Sequence, residues 1–216
     1  MLKVVNHPDF IRQNTSLLSP PLVPEVLLHL AHEAVPIWQK TEEELGEIGL
    51  PPPFWAFAWA GGQALSRYVL DHPQVVESKT VLDLATGSGL VAIAARKAGA
   101  KTVLAADIDG FACAAARLNA QANEVVIDIS DSDLLDDEPQ LFDVILVGDL
   151  FYEKALAARV LSWLSASKER GAEILVGDPG RSYLPKTRLE HVVDYYVPVT
   201  RELEDAEIKR TSVWRI

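Results

Sequence analysis

Residues 81–89 read Val81-Leu82-Asp83-Leu84-Ala85-Thr86-Gly87-Ser88-Gly89, and this stretch decides the fold. Its apolar first half is typical of a buried strand, and its glycine-rich second half is typical of a tight turn. Residues 90–98 are small and apolar and precede Gly99, which is the pattern of a helix with a glycine just past its end. The sequence therefore predicts a strand, a glycine turn and a helix, a unit whose first helical N–H groups face any ligand held in the turn.

Strands and helices alternate along the rest of the chain. Strands are predicted at 80–84, 101–106, 125–129, 142–147 and 172–176, and helices at 63–70, 90–98, 111–122 and 154–167. Such alternation is typical of a doubly wound parallel sheet. Residues 191–199 and 210–216 both read as strands, and their short connection suits an antiparallel pair. We therefore expect an α/β fold with helices on both faces of a Rossmann-like seven-strand sheet. Its antiparallel C-terminal pair is typical of the seven-strand methyltransferases, whereas a dinucleotide fold continues with another crossover helix.

Residues 1–50 differ from this pattern. Residues 24–46 have the apolar periodicity of a helix, which Pro36 breaks or kinks. A proline run follows, and Phe54–Trp59 then alternates aromatic with small residues, as in an extended segment with one aromatic face. We predict an N-terminal helical extension over residues 1–50 and a second domain over residues 51–216.

Composition limits the partners of this protein. The chain has 216 residues, a formal net charge of −11 and no cluster of Lys and Arg, which argues against nucleic-acid binding. Its single cysteine, Cys113, excludes a disulfide framework within the chain, and we predict no metal. No apolar run approaches the ~20 residues of a membrane span, and the first residues lack the core of a signal peptide. We expect a cytoplasmic monomer with a lysine-bearing partner and no membrane or nucleic acid.

The glycine turn is compatible with two cofactors. Residues 87–92 match the G-x-G-x-x-G/A fingerprint of NAD-dependent oxidoreductases, and Asp107 follows at about the spacing of a ribose-binding acid. However, Asp83 places a carboxylate at the end of the strand, where it repels a pyrophosphate and attracts a cation. S-adenosylmethionine carries a positive ammonium and a positive sulfonium, no phosphate, and two ribose hydroxyls that Asp107 can accept. We therefore favour S-adenosylmethionine, with NAD as the alternative.

Acidic residues follow four of the predicted strands. Because ligands of open α/β sheets bind at the carboxyl ends of the strands, Asp83, Asp107, Asp133 and Asp149 are predicted to converge on one edge. Asp133 lies in the loop expected to receive an adenine amino group. Asp149 ends an apolar run and opens Asp149-Leu150-Phe151-Tyr152, which places an acid and two aromatic residues beside the expected position of the transferable methyl group.

Five motifs together resemble one enzyme family. They are the segments Trp59–Tyr68, Asp83–Gly89, Ala106–Asp109, Gly148–Tyr152 and Gly177–Arg181. In combination they resemble the seven-strand protein-lysine methyltransferases with a D-x-x-Y motif, most closely the members that modify lysines of the electron-transfer flavoprotein β subunit. The resemblance covers residues 51–216 and implies that this domain transfers methyl groups from S-adenosylmethionine to lysine ε-amines of that β subunit. A small-molecule N-methyltransferase of the same fold remains an alternative.

The resemblance also implies roles for individual residues. The cofactor is expected to contact Trp59, Asp83, Ala85, Gly87, Gly89, Asp107, Ile108, Asp133 and Asp149. Asp149 and Tyr152 are the expected catalytic pair. Asp149 would guide the incoming ammonium and orient its nitrogen, while the proton leaves to water as the amine is desolvated. Ala85 stands where the family often has glycine, and its methyl group is tolerated unless the position requires a positive φ. Arg181 allows two interpretations, as a contact of the cofactor or of an acidic stretch of the substrate.

Overall fold

A computed structural model describes residues 6–31, 53–199 and 207–216 of this chain. Its nine strands, within these residues, are β1 (Ser16–Leu18), β2 (Leu28–Leu30), β3 (Thr80–Leu84), β4 (Thr102–Ala106), β5 (Asp128–Ser130), β6 (Val144–Gly148), β7 (Glu173–Asp178), β8 (Glu190–Pro198) and β9 (Ile208–Arg215). The α-helices of the same residues are α1 (His7–Asn14), α2 (Ala60–Asp71), α3 (Leu90–Lys97), α4 (Gly110–Ala122) and α5 (Lys154–Glu169). None of the described helices is long and apolar enough to span a membrane.

Seven strands form one sheet in the order β5-β4-β3-β6-β7-β9-β8. The first five are parallel, and β9 runs antiparallel to both β7 and β8. The predicted parallel sheet with an antiparallel C-terminal pair is thus confirmed. The third predicted strand begins late, at Asp128, because Val125 still donates its N–H to the last turn of α4 and Val126 is 80% exposed.

The core lies on both faces of the central strands. Alternate residues of β3 face opposite ways, so that Val81 joins an apolar cluster with α2 and α3 while Leu82 joins a cluster with α5. Both side chains are fully buried. Burial on two faces explains why these strands read as continuous apolar runs in the sequence.

The helix predicted over residues 24–46 is wrong in the part that the structure describes. Leu28–Leu30 is a strand, β2, which pairs antiparallel with β1. Val26, Leu28 and Leu30 are buried whereas the residues between them are not, which is the period of a strand and not of a helix. The remaining residues of the predicted helix, and the domain boundary at residue 50, lie outside the described residues, so the division into domains stays a prediction.

Asn119 of α4 and Asn123, which directly follows that helix, attach this N-terminal hairpin to the core. Asn123 Oδ1 accepts the N–H of Leu27 at 3.0 Å, and Asn119 Oδ1 accepts the N–H of His29 at 2.7 Å. Asn119 also donates its amide to the carbonyl of Ser88 at 2.7 Å. These side chains replace the backbone partners that a helix would have supplied, and they link the hairpin to the glycine turn.

The aromatic segment before α2 is predicted by the sequence to be extended, but only part of it is. Residues Phe54–Ala56 form a 3₁₀ turn, and α2 begins at Ala60, three residues before the predicted start. The turn directs Trp55 inwards, where its ring stacks on Phe111 of α4 with centroids 5.8 Å apart and an interplanar angle of 10°. The tertiary contact of Trp55 with Phe111 therefore favours a turn here, although the alternating aromatic pattern is typical of an extended segment.

The start of α2 lies directly on the carboxyl ends of β6 and β7. A Cβ atom on Gly61 would overlap the carbonyl oxygen of Gly177, and one on Gly177 would overlap the carbonyl oxygen of Gly61. A Cβ atom on Gly148 would come within 3.1 Å of the Cα atom of Gly62. Glycines at these positions therefore allow the helix start to reach the strand ends.

Gly61→Ala and Gly62→Ala form a matched pair that tests this contact. The Cβ atom added at Gly62 has ordinary contacts of 3.9 and 4.0 Å, so Gly62→Ala should keep or raise the unfolding free energy by up to ~1 kcal/mol through helix propensity. Gly61→Ala should lower it by about 1–3 kcal/mol or more, because backbone must move. Denaturant unfolding of both variants measures the difference, and equal effects would contradict the close approach.

Candidate active site

A cavity of about 450 Å³ opens at the carboxyl ends of β3, β4 and β6. Its walls include most residues that the sequence predicted for the site, namely Trp59, Asp83, Ala85, Gly87, Asp107, Ile108, Asp133, Asp149 and Tyr152. Gly89 is not in its walls. It precedes α3 with a φ of 81°, and a Cβ atom there would meet the Cα atom of Ala116 at 3.0 Å. Gly89 therefore serves the packing of α3 on α4.

The glycine turn contains a strained alanine. Ala85 has a φ of 57° and Gly87 a φ of 53°, both in the left-handed region. Glycine adopts this region without penalty, whereas an alanine there costs about 1–2 kcal/mol. The position thus does require a positive φ, and the methyl group of Ala85 is held there under strain.

Asp83 is a buried acid that ties the turn to α3. Its Oδ2 accepts the hydroxyl of Thr86 at 2.5 Å and the N–H of Ala92 at 2.9 Å, and its side chain lines the cavity. Burial raises the pKa of Asp83 to about 7, against the lowering effect of these two donors. A cation placed beside this carboxyl would favour its ionised form.

Asp107 shapes the same turn from the end of β4. Its Oδ2 accepts the N–H of Gly87 at 2.9 Å and its Oδ1 accepts the N–H of Asp109 at 3.0 Å. Burial raises the pKa of Asp107 above the usual range. The neighbouring Ile108 is 72% exposed and lines the cavity, which gives the wall an apolar surface beside the acid.

Asp133 is engaged with other groups of the protein. Its Oδ1 accepts the N–H of Leu135 and so caps a 3₁₀ turn, and its Oδ2 lies 3.0 Å from Nη2 of Arg159. The predicted contact with an adenine amino group stays a prediction.

Asp149 is held by donors on both sides of its carboxylate. Oδ2 accepts the N–H of Gly61, and that of Gly62 at 3.3 Å, at the start of α2. Oδ1 accepts Nε of Arg181 at 2.9 Å and lies 2.7 Å from Nη2 of the same guanidinium. Asp149 itself has a φ of 57° and is 9% exposed. Its charge is therefore compensated within the protein, by a helix start and by an arginine. The predicted role of Asp149 in guiding and orienting the amine stays a prediction.

Arg181 reaches Asp149 because a second aspartate fixes its backbone. Asp178, 1% exposed at the end of β7, accepts the N–H groups of Gly180 at 2.6 Å and Arg181 at 2.7 Å. Sequence reasoning missed Asp178. Its signal is the repeated Gly-Asp dipeptide, because Gly148 and Gly177 are paired in register and each precedes an aspartate.

Aromatic side chains form the rim of the cavity beside Asp149. The ring of Phe54 lies 5.9 Å from that of Trp59 and 5.7 Å from that of Tyr152. The guanidinium of Arg181 lies 5.7 Å from the ring centroid of Trp59. Tyr152 is 47% exposed, whereas Phe151 is fully buried and belongs to the core. Phe54, Trp59 and Tyr152 line the same cavity as Asp149, and we call this aromatic side of the cavity the apolar passage.

This chain is similar to known methyltransferases. A family model described as ribosomal protein L11 methyltransferase (PrmA) matches residues 63–155. The electron transfer flavoprotein beta subunit lysine methyltransferase of Xenopus laevis is 39% identical over 95% of this chain and 85% of its own length. The human protein of that name is 35% identical over 95% of this chain and 80% of its own. The crystal structure of ribosomal protein L11 methylase from Lactobacillus delbrueckii subsp. bulgaricus covers 74% of this chain and 80% of its own, with 26% identity and a TM-score of 0.51.

Ala85→Gly tests the strain in the turn. Glycine removes the strain energy of a left-handed alanine, about 1–2 kcal/mol. It also stabilises the unfolded chain entropically by about 0.4–1 kcal/mol. Because the first effect is larger, the unfolding free energy should rise by several tenths of a kcal/mol. Ala94→Gly, the same change inside α3, should lower it by about 1 kcal/mol or more. A loss of the same size in both variants, measured by denaturant unfolding, would show that Ala85 is unstrained.

Proposed function

Because this chain belongs to the family of electron transfer flavoprotein beta subunit lysine methyltransferases, we propose that it transfers methyl groups from S-adenosylmethionine to lysines of the electron-transfer flavoprotein β subunit. The observation that carries the proposal is that the carboxylate of Asp149, the aromatic rings of Phe54 and Tyr152 and the glycine turn all line one cavity. A lysine side chain that enters past Phe54 and Tyr152 reaches the same space as a ligand of the turn.

The residues of the cavity fit S-adenosylmethionine by their chemistry. Asp83 and Asp107 offer carboxyl groups whose protein donors are neutral, which suits an ammonium and a pair of ribose hydroxyls. Among the described residues, no lysine lines this cavity, and both of its arginines pair with carboxylates. That donor set favours a cationic ligand without phosphates and disfavours NAD.

S-adenosylmethionine, when bound, supplies a methyl group on a positively charged sulfur. Asp83 would hold the ammonium of its methionyl part, Asp107 its ribose, and the exposed face of Ile108 its adenine. Gly87 leaves the turn without a side chain, and a Cβ atom there would meet nothing within 4 Å. Trp59 closes the cavity next to Asp149.

The target lysine must reach the site as a neutral amine, because an ammonium has no lone pair for attack. The apolar passage favours proton loss, since desolvation disfavours the charged form. Oδ1 of Asp149 then accepts an amine N–H and fixes the direction of the lone pair, and the Tyr152 hydroxyl provides a second contact. Orientation of this kind lowers the barrier by holding the reactants in line.

We further propose that the enzyme acts in the cytoplasm as a monomer and without nucleic acid. The single cysteine supports an intracellular compartment, and the net charge of −11 argues against nucleic acid.

Methyl transfer to purified electron-transfer flavoprotein β subunit tests the proposed function. With tritiated S-adenosylmethionine the wild-type protein should label lysines of that subunit, identified by mass spectrometry. Asp149→Asn should lower kcat by ~10²-fold, because the amide turns an NH₂ group towards donors on one side and its remaining acceptor oxygen is no longer held in place. Tyr152→Phe should lower kcat by ~10-fold, because the hydroxyl contact is lost.

Asp194→Asn is the matched control. Asp194 on β8 also accepts hydrogen bonds from Nε and Nη2 of one arginine, Arg210, which lies on β9. The Asp194→Asn variant should keep wild-type activity. Label on a small amine only, with none on any protein of a lysate, would instead identify a small-molecule methyltransferase. Full activity in Asp149→Asn would refute the role of Asp149.

Binding of S-adenosylhomocysteine tests the role of Asp83. With a pKa of about 7 this carboxyl is half protonated at neutral pH, and a bound ammonium favours its ionised form. Binding at pH 7 should therefore release up to about half a proton. Calorimetry in phosphate and in Tris measures this release, which Asp83→Asn should abolish and the exposed Asp143→Asn should keep. Proton uptake by the wild type would contradict the assignment.

A further inference from the structure

The pairing of Arg181 with Asp149 has a consequence for the chemistry of the amine. Two N–H groups of the guanidinium meet one carboxylate oxygen, and the side chains of Arg181 and Asp149 are only 22% and 9% exposed. Charges that are mostly removed from water interact more strongly than exposed ones. The pair thus presents little net charge to the passage.

A bare carboxylate at this position would hinder the reaction. It would attract a lysine ammonium but also stabilise that ammonium, because an opposite charge within ~4–6 Å favours the charged form. A positive guanidinium at the same place has the reverse effect on the amine. The pair combines an acceptor oxygen for the neutral amine with a compensating charge.

We propose that Arg181 is a positioning residue that neutralises Asp149 and aims its carboxylate, so that the target lysine is held as a neutral amine. This inference rests on the proposed function and extends it to a residue for which the sequence left two interpretations open. Arg181 acts through Asp149, and Asp178 fixes its backbone from behind.

The position of Arg181 is determined from three directions. Its backbone N–H is bound by Asp178, its guanidinium is bound by Asp149, and the ring of Trp59 lies against the guanidinium. A side chain fixed in this way loses little further entropy when the substrate arrives. It is therefore suited to hold Asp149 in one orientation throughout the reaction.

Other charged and titratable groups surround the pair. Those that line the same cavity are Asp83, Asp107, Asp109, Asp133, Tyr152 and Arg159. Asp133 is paired with Arg159, and burial raises the pKa values of Asp83, Asp107, Asp109 and Tyr152. Behind the pair, Asp178 is under the influence of the positive charges of Arg181 and Lys186. The charge of Arg181 opposes the effect of burial on the pKa of Asp178, so Arg181→Gln also affects that group. Two variants that share the change at Arg181 and differ only at residue 149 therefore isolate the contribution of Asp149.

The test is the pH dependence of kcat at saturating S-adenosylmethionine and β subunit, since this profile reports groups in the enzyme–substrate complex. In Arg181→Gln the acid limb should move to higher pH by about one unit, a loss of about tenfold on that limb, because the ammonium is stabilised by an uncompensated Asp149. Arg181→Lys keeps the charge and should keep the limb near its wild-type position. The double variant Arg181→Gln/Asp149→Asn should return the limb towards wild type although its kcat is low.

Arg210→Gln is the control for the loss of an equivalent ion pair. Arg210 grips Asp194 with the same two nitrogens, at 3.1 and 2.7 Å, on the C-terminal strand pair. The pH profile of kcat for Arg210→Gln should match that of the wild type. Thermal unfolding and S-adenosylhomocysteine binding of each variant establish that it is folded and that the turn is intact.

The outcomes separate this inference from the proposed function. If the wild type methylates the β subunit and Arg181→Gln leaves the limb unchanged, or moves it to lower pH, Arg181 does not neutralise Asp149 and the inference is wrong. A shift in Arg181→Lys as large as that in Arg181→Gln would also overturn it, because it would show that charge is irrelevant. If the wild type transfers no methyl group to lysine, the proposed function itself fails.

Discussion

The site depends on how closely the start of α2 approaches the ends of β6 and β7. Gly61 and Gly177 meet backbone to backbone, because a Cβ atom on either glycine would overlap the carbonyl oxygen of the other. The N–H groups of Gly61 and Gly62 can therefore reach Oδ2 of Asp149. A helix start carries a partial positive charge, and it stabilises a carboxylate that water scarcely reaches. A steric constraint between glycines thus decides the electrostatics of the amine half of the site.

The acids of one sheet edge differ in their donors, and the donors decide what each acid does. The donors to Asp83 within the described residues are the hydroxyl of Thr86 and the N–H of Ala92, both neutral. Burial raises the pKa of Asp83 to about 7, so an arriving cation stabilises an ionised form that the protein alone stabilises weakly. Asp133 and Asp149 each face an arginine, Arg159 and Arg181, and their charges are compensated before any ligand binds. The cavity therefore attracts positive charge on the side of the glycine turn and has little net charge where the amine is received.

The sequence predicts those elements whose burial pattern is visible within a few consecutive residues. The strand from Thr80 to Leu84 is observed with the predicted bounds, because a run buried on two faces has a distinct sequence pattern. The sequence predicts a helix where β2 lies because Val26, Leu27, Leu30 and Ala34 also fit a helical spacing. The asparagines that bind the N–H groups of Leu27 and His29 lie about ninety residues away in sequence and leave no local signal. The same limit applies to the site. Its acids could be predicted from their strand ends, whereas the pairing of Arg181 with Asp149 arises only when two strands are adjacent.

Strain occurs just past the ends of the two strands that carry the site. Ala85 directly follows β3 and Asp149 directly follows β6, two neighbouring parallel strands, and both residues have a φ of 57°. A left-handed residue turns the chain sharply away from the strand direction, which brings the next residues over the sheet edge. On β3 this turn forms the glycine loop, and on β6 it places Asp149 under α2. Such strain persists only where surrounding contacts maintain it, here the bond from Gly87 to Asp107 and the bonds of α2 and Arg181 to Asp149. Both halves of the site are consequently shaped before a ligand arrives, and the stability lost at these two residues is offset by the packing of the elements around them.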